Sequence, residues 1–293
     1  MRGGKQIKES CAAGTARRRH MIIGTKEFDT SKKTYIMGIL NVTPDSFSDG
    51  GKYDNIDKAL FHVEEMIREG ADLIDVGGES TRPGSVYDSA NIPEEIHRVV
   101  PVIEGIKSRF DIPISLDTYH ADTARAGIAA GADLINDIWG LKFDPDMAGV
   151  IAESKVACCL MHNRREADYQ DYMNDLAADL ADSIHLAEQA GIAEDKIILD
   201  PGVGFGKTYE QNLEVIRCLE ELHMFGYPLL LGTSRKSVIG NTLNLPVDDR
   251  VEGTIATSVI GVMKGCSFVR VHDVKENVRA VRMAEAILHG GKL

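Results

Sequence analysis

The sequence has no apolar run near the roughly 20 residues of a membrane-spanning helix, so a membrane role is not expected. It has no cationic excess either. Lys and Arg number 33 against 45 Asp and Glu, a formal charge of −12. That argues against nucleic acid as a general partner, because a phosphate backbone needs a basic face. An anionic small molecule remains open, since it needs only a local cluster of cations. Cysteine is sparse. The five, Cys11, Cys158, Cys159, Cys218 and Cys266, are odd in number and fit neither a disulfide framework nor a zinc site. Cys158 and Cys159 adjoin within an apolar run and read as small buried thiols. A reducing compartment, the cytoplasm, is expected.

No composition break divides the 293 residues, enough for one large α/β barrel or two ordinary domains. Hydrophobic residues make up 43% and charged residues 27%, as in ordinary globular proteins. Residues 1–20 stand apart. A Gly/Ala/Lys-rich segment without periodicity ends in Arg17-Arg18-Arg19-His20, and it reads as a disordered leader or cloning remnant. A transit peptide fits less well, because the segment is short and not amphipathic. The fold is expected to run from about residue 22 to residue 293.

Eight apolar runs of strand length punctuate that span: 35–40, 72–77, 113–117, 133–138, 157–162, 196–200, 228–232 and 268–272. Helical periodicity fills the segments between, most clearly at 57–69, 172–190, 251–264 and 275–288. Gly70, Gly191, Gly226 and Gly265 stand where helices should stop before a strand. Strands alternating with helices imply parallel pairing. Eight such units imply a closed (β/α)8 TIM barrel, in a single domain, ahead of an open sheet.

The carboxyl ends of barrel strands are where sites form. Here they carry Asn41, then Glu79-Ser80-Thr81-Arg82, Asp117, Asn136-Asp137, His162, Asp200, Ser234-Arg235-Lys236, and Arg270 with His272. Each has a plainer explanation. Asp117 and Asp200 can cap following helices, Asn136 can bond loop backbone, and His162 reads as a satisfied barrel histidine. Arg270 and His272, two apart on a strand, point to one side. Outward they would meet the helix layer, an expensive place for Arg; inward they make a cationic clasp. Lys236, Arg270 and His272 suit a phosphate or diphosphate. Asn41 can offer its amide oxygen to a magnesium ion. Asp117, Asn136 and Asp200 suit a heterocycle that carries an amino group beside a ring N–H.

Pro201-Gly-Val-Gly-Phe-Gly-Lys207-Thr208 falls one residue short of a phosphate-binding P-loop, with proline in place of the first glycine. It follows the sixth strand rather than the first of a nucleotide fold. Its glycines are expected to let a loop hug a flat ligand.

Five blocks in order, Asn41-Val-Thr-Pro-Asp-Ser-Phe-Ser-Asp-Gly-Gly51, Gly77-Gly-Glu-Ser-Thr-Arg-Pro-Gly84, Asp200-Pro-Gly, Gly232-Thr-Ser-Arg-Lys236 and Arg270-Val-His272-Asp, closely resemble the dihydropteroate synthases. The resemblance covers Tyr35 to the C-terminus. It implies a pterin-binding barrel that joins 6-hydroxymethyl-7,8-dihydropterin diphosphate to p-aminobenzoate, giving 7,8-dihydropteroate and diphosphate in folate biosynthesis. By the same resemblance, Asp117, Asn136, Met161, Asp200 and Lys236 hold the pterin. Asn41, Thr81, Arg82, Arg270 and His272 hold the diphosphate, with Asn41 on Mg2+. Phe47, Thr81, Pro83, Phe205, Lys236 and Ser237 surround p-aminobenzoate, whose carboxylate can use a helix start near Ser237. Asp117, Lys236, Asp200, Arg270 and His272 carry the catalysis.

The implied chemistry is diphosphate departure assisted by magnesium and cations, followed by amine attack on a pterin-methylene cation. A neutral aryl amine needs no strong base, in keeping with the lack of a nucleophile–His–Asp arrangement. The loops near Phe47 and Thr81 are expected to close over the site and exclude water. Sulfonamides, mimics of p-aminobenzoate, are expected inhibitors, and a homodimer is expected by family analogy. Two rivals stand against this. A corrinoid-linked methyltransferase would need the pterin groups but no diphosphate clasp. A silent binding protein would be expected to have lost Asn41, Lys236 or a loop motif, and all are present.

Overall fold

The computed structural model of the protein describes residues 20–31, 33–42, 52–79 and 91–291, with the backbone alone at 52–55. The first element is one the sequence reading passed over. An antiparallel hairpin, β1 (His20–Ile23) and β2 (Lys26–Asp29), starts two residues before the expected domain boundary at 22. Its two-residue turn is led by Gly24, whose φ of +60° suits glycine.

The eight apolar runs become β3 (Tyr35–Asn41), β4 (Leu73–Gly77), β5 (Ile114–Asp117), β6 (Leu134–Asp137), β7 (Ala157–Met161), β8 (Ile197–Asp200), β9 (Leu230–Leu231) and β10 (Phe268–Val271). They pair in parallel in the order β8-β7-β6-β5-β4-β3-β10-β9. A parallel bridge between Leu199 and Leu229 joins the two edges, so the sheet closes into the expected barrel. Around it lie α1 (Lys52–Glu69), α2 (Ile92–Arg109), α3 (Ala121–Ala130), α4 (Met147–Ser154), α5 (Tyr172–Ala190), α6 (Tyr209–Arg217), α7 (Ser237–Leu243), α8 (Val251–Met263) and α9 (Val274–Leu288). Gly70, Gly191, Gly226 and Gly265 all take positive φ, as helix-stopping glycines do. No helix among the described residues is long and apolar enough to cross a membrane.

Side chains alternate across each strand. On β4, Ile74 and Val76 face the helices and join the large outer core, while Leu73, Asp75 and Gly77 face the barrel axis. The first inward residue of every barrel strand but β5, where it is Ser115, is apolar. Tyr35, Met37, Leu73, Leu134, Ala157, Ile198, Leu230 and Phe268 form one cluster with Met21, Ile23 and Phe28 of the hairpin. The hairpin therefore plugs the amino end of the barrel. Phe28 is 2% exposed, and its ring centroid lies 4.7 Å from that of Tyr35 and 5.8 Å from that of Phe268. Lys196 Nζ donates to Ile22 O at 2.8 Å and ties the plug to the barrel wall.

Phe28→Ala is expected to cost roughly 3–5 kcal/mol of stability, the usual loss for a buried aromatic. Urea denaturation measures it; an unchanged midpoint would mean that the hairpin adds nothing to the barrel.

Candidate active site

At the carboxyl end the inward positions turn polar. Asn41, Gly77, Asp117 and Asn136 stand abreast on β3 to β6, and Met161 stands abreast of Asp200 on β7 and β8. Asp117, Asn136, Met161 and Asp200 are buried, whereas Asn41 is exposed at the rim.

Arg270 reaches across this mouth. Its Nε donates to Asp75 Oδ2 at 2.5 Å and its Nη2 to Asp117 Oδ2 at 2.7 Å. Asp75, 0% exposed, also accepts Ser115 Oγ at 2.5 Å and Asn136 Nδ2 at 3.3 Å. Reading only strand ends missed Asp75. The signal was there: a carboxylate at an inward position of an otherwise apolar strand demands a buried partner.

The capping explanations for the two aspartates do not hold. His120 and Thr208 occupy the cap positions of α3 and α6. Asp200 Oδ1 instead accepts Gly202 N at 2.7 Å. Asn136 bonds Asp75 rather than loop backbone, and it is Asp137 that organises the loop, accepting from Trp139 N at 2.8 Å and Leu141 N at 2.7 Å. His162 is the satisfied barrel histidine expected, with Nε2 3.0 Å from Asp179 Oδ2.

Of Ser234-Arg235-Lys236, only Lys236 reaches this mouth with a charge. Arg235 pairs with Asp273 at 3.1 and 2.5 Å. Lys236 Nζ donates to Val203 O at 2.6 Å and lies 4.7 Å from the Phe205 ring centroid. Ser237, exposed, begins α7. Ser234 Oγ accepts His272 N at 3.1 Å and lies 2.9 Å from His272 Nδ1.

Charge here differs from the expectation in one respect. Burial, then repulsion from Arg270, pulls the His272 pKa down to about 3, so it is a neutral hydrogen-bonding group and the clasp is not doubly cationic. Burial pulls Lys236 down to about 8 against the attraction of Asp200. Burial lifts the Asp117 carboxyl well above the usual range despite Arg270, and Asp75 adds to the rise. Burial also works against the Arg270 charge, but Asp75 and Asp117 more than offset it.

The loop glycines also depart from expectation. A Cβ at Gly202 would meet His162 O at 1.9 Å and one at Gly206 would meet Arg164 O at 2.2 Å, so both hug neighbouring backbone rather than a ligand. Only Gly204 turns toward Lys236, whose Cδ would lie 3.3 Å from a Cβ at that position.

Asn41 Oδ1 and Asp117 Oδ2 flank Gly77, 3.7 and 3.9 Å from where its Cβ would be. Asp117 Oδ1 is buried with no hydrogen-bond partner. Hard oxygens so placed fit magnesium. A second set, Glu79, Glu95 and His120, has ligand atoms within 4.8 Å of one another, but hydroxyls of Tyr119 and Thr123 already bond the two glutamates. Phe47, Thr81, Arg82 and Pro83 lie outside the described residues.

A (β/α)8 barrel whose mouth gathers Asp117, Asn136, Asp200 and Lys236 suits the pterin-binding enzymes, and the model of that family matches residues 37–272. The dihydropteroate synthase of Clostridium beijerinckii is 61% identical over 269 residues, 92% of this chain and 99% of that protein. A solved dihydropteroate synthase from Clostridium difficile, in the presence of pteroic acid, superposes with a TM-score of 0.86 at 53% identity, covering 89% of this chain and 98% of that one. The Yersinia pestis enzyme in a sulfonamide drug complex gives 0.85 at 44% identity, over 92% and 99%. The Xanthomonas albilineans enzyme with 4-aminobenzoic acid gives 0.87 at 37%, over 92% and 98%. The chain belongs to the dihydropteroate synthase family of pterin-binding enzymes.

Asp75→Asn keeps the shape and removes the charge that aims Arg270. It is expected to destabilise by roughly 3–5 kcal/mol, as when a buried ion pair loses one partner, and to weaken pterin diphosphate binding. Urea titration and calorimetry read the two effects; no change in either would mean that packing alone orients Arg270.

Proposed function

We infer that the protein is a transferase that condenses 6-hydroxymethyl-7,8-dihydropterin diphosphate with p-aminobenzoate, giving 7,8-dihydropteroate and diphosphate for folate biosynthesis. The observation that carries the reading is the buried set Asp117, Asn136 and Asp200 beside Lys236 and Arg270 at one barrel mouth. A pterin offers an amino group beside a ring N–H, and the Asp200 carboxylate accepts both. Asn136 and Met161 border the ring, and Lys236 donates to its carbonyl. Arg270 has Nη1 left for the diphosphate, and His272 donates as a neutral imidazole. Asn41, with Asp117 nearby, would hold Mg2+, which when bound neutralises the departing diphosphate.

Departure leaves positive charge on the pterin methylene. The Asp117 oxygen without a partner would favour that charge electrostatically. Phe205, Lys236 and Ser237 would border p-aminobenzoate, which sulfonamides mimic. Phe205 also packs against the Met161 cluster, so the aryl and pterin subsites share a wall. The free thiols of Cys158, Cys159, Cys218 and Cys266 suit the reducing cytoplasm.

We also infer a homodimer through α8 and α9, which pack on each other and leave Met263, Met283 and Ile287 62–70% exposed. Sedimentation equilibrium is expected to give twice the chain mass; a monomer at micromolar concentration would remove this reading.

The functional test measures diphosphate release and dihydropteroate formation with Mg2+, with and without p-aminobenzoate, across pH. Coupled release is expected, abolished by Lys236→Ala with the fold retained. Activity should fall on the acid side as Asp117 takes a proton well above the usual carboxylate range. It should fall on the alkaline side as Lys236 loses its proton around pH 8. Pterin binding without product would sink the reading, and methyl transfer from methyltetrahydrofolate would be assayed next.

A further inference from the structure

The glycine-rich loop 201–208 resembles a phosphate loop, but its lysine points into the protein. Lys207 Nζ donates to His162 Nδ1 at 2.8 Å, Gly202 O at 2.9 Å and Phe205 O at 2.9 Å. As an ammonium it has three protons, and these acceptors, with His162 O at 3.5 Å, are enough to take all of them.

His162 is itself fixed. It is fully buried, and burial holds its pKa down to about 4, so the ring is neutral. Its Nε2–H donates to Asp179 Oδ2 at 3.0 Å, which leaves the Nδ1 lone pair facing Lys207. Arg164 Nε donates to the same Asp179 oxygen at 2.6 Å. A chain of polar contacts thus runs from α5, past the end of β7, to the ammonium and on to two carbonyls of the loop.

Those carbonyls bracket the segment that faces the site. Between them, Val203 O accepts Lys236 Nζ at 2.6 Å, and the Phe205 ring lies 4.7 Å from the same nitrogen. Lys207 holds the loop from behind and Lys236 holds it from the mouth. Asp117 and Asn136, in contrast, stand on β5 and β6 and make no bond to this loop, while Asp200 is placed by β8 and touches the loop only through Gly202 N.

We propose that Lys207 is a positioning residue for the aryl-amine pocket, fixing the 202–205 backbone so that Phe205 is set to receive p-aminobenzoate, and that it is not a ligand of the diphosphate. The proposal rests on the reading of this mouth as the p-aminobenzoate site. It accounts for a motif that the pterin and diphosphate chemistry leaves unused.

The test uses the full chain with Lys207→Met, which keeps side-chain length without donors, and Lys207→Gln, which keeps an amide donor. Steady-state kinetics give KM for p-aminobenzoate and kcat, and calorimetry gives Kd for the pterin diphosphate and for a sulfonamide. Lys207→Met is expected to raise KM for p-aminobenzoate about tenfold or more, as loss of several buried hydrogen bonds would. The sulfonamide Kd should rise in parallel. The pterin diphosphate Kd should stay within about twofold, well inside one lost hydrogen bond. Lys207→Gln should fall between, and it carries the test by the same criteria if Lys207→Met does not fold. An equal loss of pterin diphosphate affinity would mean that Lys207 serves the whole mouth rather than the aryl-amine pocket, and would overturn the proposal. An unchanged KM would overturn it too. A wild-type protein without p-aminobenzoate-dependent turnover would instead remove the functional reading on which it rests.

Discussion

A buried guanidinium sets the terms for the carboxyl end of this barrel. Arg270 lies among Asp75, Asp117 and Asp200, with Lys236 alongside. Burying an unpaired charge is prohibitive, so the arginine requires carboxylates and the carboxylates require the arginine. The balance is unequal. If all five groups are ionised, three acids face two cations and one negative charge is left over. Asp117 bears most of the strain, because burial and Asp75 both disfavour its charge. A site held in that condition is relieved by positive charge, whether a metal ion at its rim or a cation forming on a ligand. The same imbalance is what the proposed departure of diphosphate from a pterin methylene would draw on.

Such a network needs a stiff frame, and the opposite end of the barrel supplies one. The hairpin seals the first inward layer with Met21, Ile23 and Phe28, and on β4, β8 and β10 the axis changes from apolar to ionic at the next inward residue. The alternation of side chains makes that change sharp. Leu73 is in the apolar layer, Asp75 is the next inward residue, and Gly77 leaves the rim open between Asn41 and Asp117. One strand thus contributes a plug contact, a counter-ion and an opening.

Much of this was legible in the sequence, because the signals were periodic or terminal. Apolar runs gave the strands, glycines after helical stretches gave the stops, and strand ends gave Asp117, Asn136, Asp200 and Arg270. What escaped had other causes. Asp75 lies in mid-strand, where only the inward parity of a buried charge would have exposed it. The hairpin is short and adjoins an arginine run that resembles a leader, so the alternation of Met21 and Ile23 gives too brief a signal to mark a strand. The His272 charge could not be read from residue type. It depends on burial beside Arg270, which is a property of the assembled barrel.

The two lysines of the site show where sequence reasoning ends. Each follows a glycine-bearing turn, each is partly buried, and each has its pKa lowered mainly by burial, Lys207 to about 7 and Lys236 to about 8. Gly206-Lys207-Thr208 copies the end of a P-loop, but the proline at 201 and the position after the sixth strand already favour Lys236 as the phosphate lysine. The acceptors agree. Lys207 is surrounded by a histidine lone pair and two carbonyls, which use every proton it has. Lys236 has one hydrogen-bond acceptor among the described residues, Val203 O, together with an aromatic face, and so retains protons for a ligand. The difference between a lysine that builds a pocket and one that works in it lies in how many hydrogen-bond acceptors the fold brings to it. That number is fixed by the loop's passage across β7, where Gly202 and Gly206 alone permit the approach.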